Sequence, residues 1–300
     1  MKARPPKIAV VGIPSAAAAR GSGVARGPLA LRDHGLLQAL AADGTRVVNL
    51  SDLSLFPYRE DPEHPKARNA DVVACAVRTA ADEMTRALAE GFTLVLGGDC
   101  ALAAGVAAGV RAHTGTDPGL IYLDAHADLH TPETTLSGYL QGMALSLAMG
   151  RGASEVVDAY APAAAVPPER VALLGVREWE AGEEEAARSV ALRLTPASMQ
   201  AMGMADTAAR ALAAVGEGPI LVHFDVDVIR TEEMPAVEVR TGGGGLTVFE
   251  AAALLRALLA SPKVVALEVV QYDPSLDPDG ICARRIVDMI ASALARHSAA

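Results

Sequence analysis

Short apolar segments rich in Val, Ile and Leu alternate along the chain with longer Ala-rich segments. Continuous apolar segments of this length are typical of strands that are buried on both faces of a parallel sheet. The predicted strands are residues 7–13, 45–50, 92–98, 119–124, 170–176, 220–227 and 264–270, with 191–195 as a weaker eighth candidate.

The Ala-rich segments between the strands predict helices at residues 27–41, 70–90, 99–112, 138–149, 197–214, 247–260 and 281–296. Strands that alternate with helices predict a sheet with helices on both of its faces. We therefore expect a single α/β domain over residues 1–300. Its fold would be a three-layer α/β/α arrangement with a mostly parallel sheet of about eight strands.

The composition indicates which kinds of partner and which cellular compartment to expect. The net charge is −10 and aromatic residues make up only 3% of the chain, which disfavours nucleic-acid binding because phosphate contacts need Lys and Arg. No apolar stretch approaches the roughly 18–20 residues that cross a membrane. The three cysteines Cys75, Cys100 and Cys282 are widely spaced, which disfavours a disulfide framework and is consistent with a cytoplasmic location.

Acidic residues stand where the predicted strands end. Asp99 follows "LVLGG", Asp124 and Asp128 follow "LIYL", and Asp225 and Asp227 lie within "LVHFDVDV". Ligands of open parallel sheets bind beyond the carboxyl ends of the strands, so these side chains are expected to share one crevice.

Strand geometry makes the expected arrangement more specific. Residues two apart on an extended strand point to the same side, which predicts Asp124, His126 and Asp128 on one wall and Asp225 and Asp227 on another. Each unpaired buried charge would cost several kcal/mol, and no Lys or Arg stands immediately beside these residues in the sequence. Either their pKa values rise until the carboxyl groups are neutral, or cations bind there.

Mixed carboxylate and imidazole ligands suit divalent ions such as Mn²⁺, with Zn²⁺, Fe²⁺ or Co²⁺ as alternatives. Two ions that share bridging carboxylates would hold a hydroxide able to attack an electrophilic carbon. The sequence alone thus predicts a metal-dependent hydrolytic site.

The same motifs resemble those of the arginase-like ureohydrolases, whose pattern is G-G-D-H, D-A-H-x-D and S-x-D-x-D. They stand here as "GGDC" (97–100), "DAHAD" (124–128) and "HFDVD" (223–227), and "DLHTPETTLSGYLQG" (128–142) is similar to the arginase branch in particular. The resemblance implies a dimanganese centre and hydrolysis of a C–N bond in a linear guanidino or amidino compound, such as arginine or N-hydroxyarginine, by a metal-bridging hydroxide. It also implies a homo-oligomer, a trimer or hexamer.

The resemblance implies roles for individual residues. The implied metal ligands are Asp124, His126, Asp128, Asp225 and Asp227, with Asp124 and Asp225 bridging the ions and Asp99 orienting the first motif. Asp128 would also hydrogen-bond the hydroxide. The implied substrate contacts are Thr135, Ser137 and Glu180, which would hold the amino-acid end.

Four positions depart from the family pattern. Cys100 replaces a histidine ligand; its thiolate would favour Zn²⁺ or Fe²⁺ over Mn²⁺, or it is an inert buried thiol. Gln141 stands at the position of a histidine that shuttles protons, and Gln cannot titrate. His130 stands where arginases have Asn; it either takes over this catalytic role or contacts substrate or solvent. Gln271 replaces a Glu that pairs with the substrate guanidinium, and a neutral amide cannot form that charge-assisted pair.

Two nearby residues affect this interpretation. Arg240 would add positive charge beside Gln271, whereas Glu268, three residues earlier on the same strand, is expected to face away from it. These departures support two hypotheses. Either the substrate group is less cationic than ordinary guanidinium, or the chain is a non-catalytic relative that binds a ligand and regulates a partner.

Overall fold

The computed structural model describes residues 7–160 and 164–295. The predicted domain of residues 1–300 and the last residue of the predicted 281–296 helix extend outside these described residues. In the described part of the chain, no helix is long and apolar enough to span a membrane.

Within residues 7–160 and 164–295, one sheet of eight parallel strands forms the middle layer, which confirms the predicted fold class. The strands are β1 Lys7–Ile13, β2 Arg46–Asp52, β3 Phe92–Gly97, β4 Gly119–Leu123, β5 Val171–Leu174, β6 Leu192–Leu194, β7 Ile220–Asp225 and β8 Val264–Val270. Their order in the sheet is β2-β1-β3-β8-β7-β4-β5-β6.

Helices cover both faces of this sheet. They are α1 Gly27–Asp33, α2 Leu36–Ala41, α3 Ala70–Glu90, α4 Leu102–Thr114, α5 Ala144–Ala148, α6 Ser154–Val157, α7 Glu183–Ala186, α8 Pro196–Met202, α9 Met204–Ala214, α10 Val248–Leu259 and α11 Ile281–Leu294. Apolar side chains of α3, α4 and α5 pack in one core against one face of the sheet, and those of α1, α2, α10 and α11 pack in a second core against the other face.

Several predicted helices are shorter or divided. The 27–41 segment breaks at Gly35 and the 197–214 segment breaks at Gly203, where φ is 85° and 88°, values that other residues rarely adopt. The 99–112 helix begins only at Leu102, because the Asp99 side chain accepts the Ala101 N–H and forms a turn first. Within the 138–149 segment, only Ala144–Ala148 is α-helical and a 3₁₀ turn precedes it.

β4 and β7 are among the strands that end earlier than predicted, and their early ends correct the expected geometry of the site. β4 ends at Leu123, so Asp124, His126 and Asp128 lie in a loop. β7 ends at Asp225, and Asp227 lies in the following 3₁₀ turn. The prediction that strand alternation places these side chains on two walls is therefore wrong. Instead, turns that follow the strands bring them together.

Candidate metal centre

The carboxyl ends of four adjacent strands, β3, β8, β7 and β4, meet at one edge of the sheet. Cys100 follows β3, Gln271 follows β8, Asp225 ends β7, and Asp124 follows β4. A cavity of about 350 Å³ opens at this edge. The strand order thus brings together residues that are far apart in the sequence.

Nearly all of the predicted site residues line this cavity. They are Cys100, His126, Asp128, His130, Thr135, Ser137, Gln141, Glu180, Asp225, Asp227 and Gln271. Asp124 lies beneath the floor with no exposed surface. Arg240 and Trp179 also line the cavity.

One group of possible metal ligands consists of Asp124, His126 and Asp227, which offer ligand atoms within 4.8 Å of one another. His126 Nδ1 lies 3.0 Å from Asp227 Oδ2 and 3.5 Å from Asp124 Oδ1. Backbone N–H groups hold the carboxylates in place: that of His126 donates to Asp124 Oδ1 at 2.6 Å, and that of Ala125 donates to Asp227 Oδ1 at 3.0 Å.

A second group consists of Cys100, Asp124 and His223, whose ligand atoms also lie within 4.8 Å of one another. Cys100 Sγ lies 3.0 Å from Asp225 Oδ2, so the two groups and Asp225 form one continuous cluster. Asp124 Oδ2 is buried and has no hydrogen-bond partner in the described part of the chain. A buried carboxylate oxygen without a donor is costly unless a cation binds it, so the donor set fits divalent ions.

The pKa shifts within the cluster also support a site for divalent ions. Burial, followed by the charge of Asp227, raises the pKa of Asp124 to about 6. Burial also raises the pKa of Asp225 and Asp128 well above the ordinary range, and the charge of Asp124 adds to both shifts. Burial opposes ionisation of His126, but Asp227 and Asp124 together raise its pKa to about 12. The His126 imidazolium thus faces several carboxyl groups.

Without metal, the protein is expected to lose stability as the pH rises. Burial raises the pKa of Asp99 and Asp124 from 3.8 to about 6. A raised folded-state pKa contributes stability that is complete below the unfolded value and is lost as the pH rises through the folded value. Each such shift corresponds to roughly 3 kcal/mol, so the melting temperature of chelator-treated protein should fall from about pH 4 to about pH 7.

Excess Mn²⁺ should remove the part of this fall that comes from Asp124, because the ion binds the ionised carboxylate of the folded state, whereas the part that comes from Asp99 should remain. Calorimetry of the metal-free and Mn²⁺-loaded protein across this range measures both slopes. A melting temperature of the metal-free protein that rises over the same range would contradict the electrostatic account.

A chain of amide contacts closes one side of the cavity. Gln271 Nε2 lies 3.3 Å from Cys100 Sγ and donates to Gln141 Oε1 at 2.9 Å. Gln141 Nε2 in turn donates to Glu238 Oε2 at 3.0 Å. Gln271 has a φ of 69°, and its backbone N–H donates to the Gly98 carbonyl, which fixes the side chain against Cys100. Both amides are thereby oriented by their neighbours.

Residues of the loop after β4 form the opposite side. His130 Nε2 lies 3.0 Å from Glu180 Oε2, and its Nδ1 lies 3.1 Å from Thr134 Oγ1. Thr135 Oγ1 accepts the N–H groups of Ser137 and Gly138 at 3.2 and 3.0 Å, so it also shapes the loop. Contact of these side chains with a substrate stays a prediction.

Glu183 holds this side of the cavity together. Its Oε1 accepts the N–H of Leu129 at 3.0 Å and its Oε2 accepts the N–H of Glu180 at 2.9 Å, while the side chain is buried. Leaving buried donors without an acceptor costs about 1–3 kcal/mol, so Glu183→Ala should lower the free energy of unfolding by that amount. Glu184→Ala is the matched control, since Glu184 is exposed and should change it by less than about 0.5 kcal/mol.

Urea unfolding of both variants measures the difference. An equal decrease in the free energy of unfolding in the two variants would contradict the proposal that Glu183 stabilises the loops of Leu129 and Glu180 by accepting their N–H groups.

Sequence reasoning missed several residues of this site. Arg177 donates to the Asp227 carbonyl at 2.7 Å and fixes the turn after β7, so a cation does lie near the cluster, although it is distant in the sequence. Glu238 reaches the site from a loop and Glu183 from the first residue of α7, and neither lies in a recognisable motif. His223 was visible in "HFDVD", where the family pattern has Ser, but its position within an apolar strand gave no sign of a partner.

Comparisons with known proteins agree with the geometry. The model of the arginase family matches residues 6–295. An arginase of Brucella melitensis is 33% identical over 298 residues, covering 96% of this chain and 95% of its own length, and one of Brevibacillus brevis is 30% identical over 288 residues, covering 95% and 96%. The crystal structure of an arginase from Bacillus cereus superposes with a TM-score of 0.88 at 29% identity, covering 98% of this chain and 100% of that one.

Proposed function

Because the chain belongs to the arginase family, we propose that its cavity cleaves a C–N bond of a linear guanidino or amidino compound with the help of two divalent ions, Mn²⁺ among the candidates. Membership makes the chain a hydrolase of the ureohydrolase type. The substrate, the native metals, the oligomeric state and the cytoplasmic location are predictions beyond that membership.

One observation carries the proposal: a buried cluster of carboxylates with an unpartnered Asp124 Oδ2 forms the floor of an open cavity. Divalent ions bound there would lower the pKa of water and polarise the substrate. The residues that would hold them are Cys100, Asp124, His126, Asp128, Asp225 and Asp227.

The protein groups would then orient the reactants and move a proton. Tyr122 donates its hydroxyl to Asp128 Oδ2 at 2.7 Å, which leaves Asp128 Oδ1 for the reacting water. This carboxyl group lines the cavity and would hydrogen-bond that water, take up its proton and pass the proton to the leaving amine. At the other end of the cavity, Glu180 and His130 would bind the amino-acid end of the substrate.

The side walls support a substrate group that is less cationic than guanidinium. Gln271 and Gln141 present neutral amides where a carboxylate would pair with a cation. Arg240 adds positive charge at the cavity lining. An N-hydroxyguanidine is less basic than a guanidine and meets these conditions, so N-hydroxyarginine is the proposed type of substrate.

Steady-state kinetics with arginine, N-hydroxyarginine, agmatine and formimidoyl compounds, each with added Mn²⁺, Zn²⁺ or Co²⁺, test this proposal. We expect kcat/KM for N-hydroxyarginine to exceed that for arginine by at least about tenfold, since one charge-assisted hydrogen bond is roughly twice as strong as a neutral one. Arginine as the best substrate would contradict the preference for a neutral group.

A second candidate is a non-catalytic relative that binds an amino-acid ligand. The replacements Cys100, Gln141 and Gln271 favour it, since the family pattern has titratable groups at these positions. Failure of every compound in the panel to turn over in metal-replete protein, together with tight binding of one of them by calorimetry, would favour this alternative.

A further inference from the structure

A second buried histidine lies beneath the carboxylate cluster. His223 is on β7, two residues before Asp225 and on the same face, and it has no exposed surface. In the sheet it pairs in register with Tyr122 of β4 and Glu268 of β8. This face is the one covered by the apolar side chains of α3 and α4, where a polar side chain needs a specific reason.

Neighbouring residues fix the orientation of the His223 ring. Its Nδ1 lies 2.6 Å from Glu268 Oε2, and the ring stacks on Tyr122 with centroids 4.1 Å apart and planes 7° from parallel. This contact gives the buried Glu268 side chain a partner. His223 Nε2 is buried and has no hydrogen-bond partner in the described part of the chain.

Two unpartnered buried atoms thus belong to one small group. Cys100, Asp124 and His223 offer ligand atoms within 4.8 Å of one another, and Asp124 Oδ2 and His223 Nε2 both lack a partner there. Leaving both buried atoms without a partner would destabilise the fold. An imidazole whose Nδ1 contacts a carboxylate is the usual arrangement behind a metal ion that is bound through Nε2.

We propose that His223 is a metal ligand, forming with Cys100 and Asp124 a site distinct from that of Asp124, His126 and Asp227, and that Glu268 orients its ring. This inference rests on the proposed metal centre. It means that the imidazole absent at position 100 is supplied from position 223, in the middle of the sheet.

The two sites differ in chemistry. The site of Cys100, Asp124 and His223 combines a thiolate, an imidazole and a carboxylate, which favours Zn²⁺, Fe²⁺ or Co²⁺. The other site has one imidazole and two carboxylates and suits Mn²⁺. Asp124 belongs to both groups and would bridge the ions. The protein is thus expected to bind two different metals at neighbouring positions.

X-ray absorption of the wild-type protein loaded with Co²⁺ tests the assignment without any mutation. The inference requires back-scattering from two imidazoles and one sulfur per pair of ions. One imidazole per pair would overturn it, and so would spectra that lack sulfur.

His223→Asn isolates the ligand atom, because the Asn amide can still donate to Glu268 while Nε2 is removed. Loss of a residue that hydrogen-bonds a metal ligand lowers metal affinity by about 10–100-fold. Loss of the ligand itself should therefore weaken one of the two Co²⁺ sites by at least about 10²-fold. Glu268→Gln should weaken the same site by about 10–100-fold. His113→Asn is the matched control, since His113 is exposed on α4 and should leave both affinities unchanged.

Calorimetric titration of metal-free protein with Co²⁺ measures the affinities of both sites, and the thiolate charge-transfer absorption identifies the one that contains Cys100. Wild-type affinity at both sites in His223→Asn would overturn the role of His223 while leaving the metal centre standing. Absence of any bound Co²⁺ in the wild type would overturn both the inference and the proposed function.

Discussion

Asp124→Asn is expected to abolish hydrolysis and to remove both metal ions. Asp124 belongs to both groups of possible ligands and lies under the cavity floor with one oxygen unpartnered. An amide binds divalent ions far more weakly than a carboxylate does. It has only one oxygen, so it cannot bridge two ions as a carboxylate does with its two oxygens. A single transition-state donor is worth roughly 10²–10³-fold in rate, so loss of the bridging carboxylate should lower kcat by at least about 10³-fold.

Elemental analysis of the purified variant and kinetics with the best substrate of the panel measure both effects. Asp206→Asn makes the same chemical change at an exposed position on α9 and should retain the full metal content and activity. A variant that keeps two ions per chain would show that Asp124 is not the shared ligand.

The double variant Gln141→His/Gln271→Glu is expected to gain activity on arginine. Glu at position 271 supplies a carboxylate for the guanidinium, and His at position 141 supplies a titratable group. Glu238, which now accepts from Gln141, is placed to orient that imidazole. General acid catalysis is worth roughly 10²–10⁴-fold, so kcat/KM for arginine should rise by at least about 10²-fold over the wild type.

The single variants separate the two contributions, and Gln38→Glu on the exposed surface of α2 controls for the added charge. Gln271→Glu alone should change mainly the preference for arginine over N-hydroxyarginine. A double variant no faster than the wild type on arginine would show that these two amides do not set the substrate preference.

The fold was predictable because its strands are continuous apolar segments separated by helical ones. The strand ends β3, β4 and β7 carry the acidic motifs, and parallel strands bring their carboxyl ends to one edge, so the location of the cluster followed from pattern alone. The path of the chain beyond the strand ends could not be predicted from this pattern. Asp128 adopts a φ of 52° and Asp227 lies in a 3₁₀ turn, conformations that alternation cannot predict.

Contacts between segments that are distant in the sequence could not be predicted either. Glu238 reaches Gln141 across 97 positions of sequence, and no local motif marks it. His223 and Glu268 lie within apolar strands, and only the register of β7 against β8 shows that they face each other. Their role depends on this pairing, which single-sequence patterns do not contain.

We infer that the carboxylates at the sheet edge bind divalent ions. Anomalous diffraction on both sides of the manganese absorption edge, from crystals grown with Mn²⁺ as the only divalent ion, tests it most directly. We expect two peaks roughly 3.5–4 Å apart, in contact with Asp124 and Asp225. Absence of both peaks, with these carboxylates bonded to arginine side chains or backbone N–H groups instead, would contradict it.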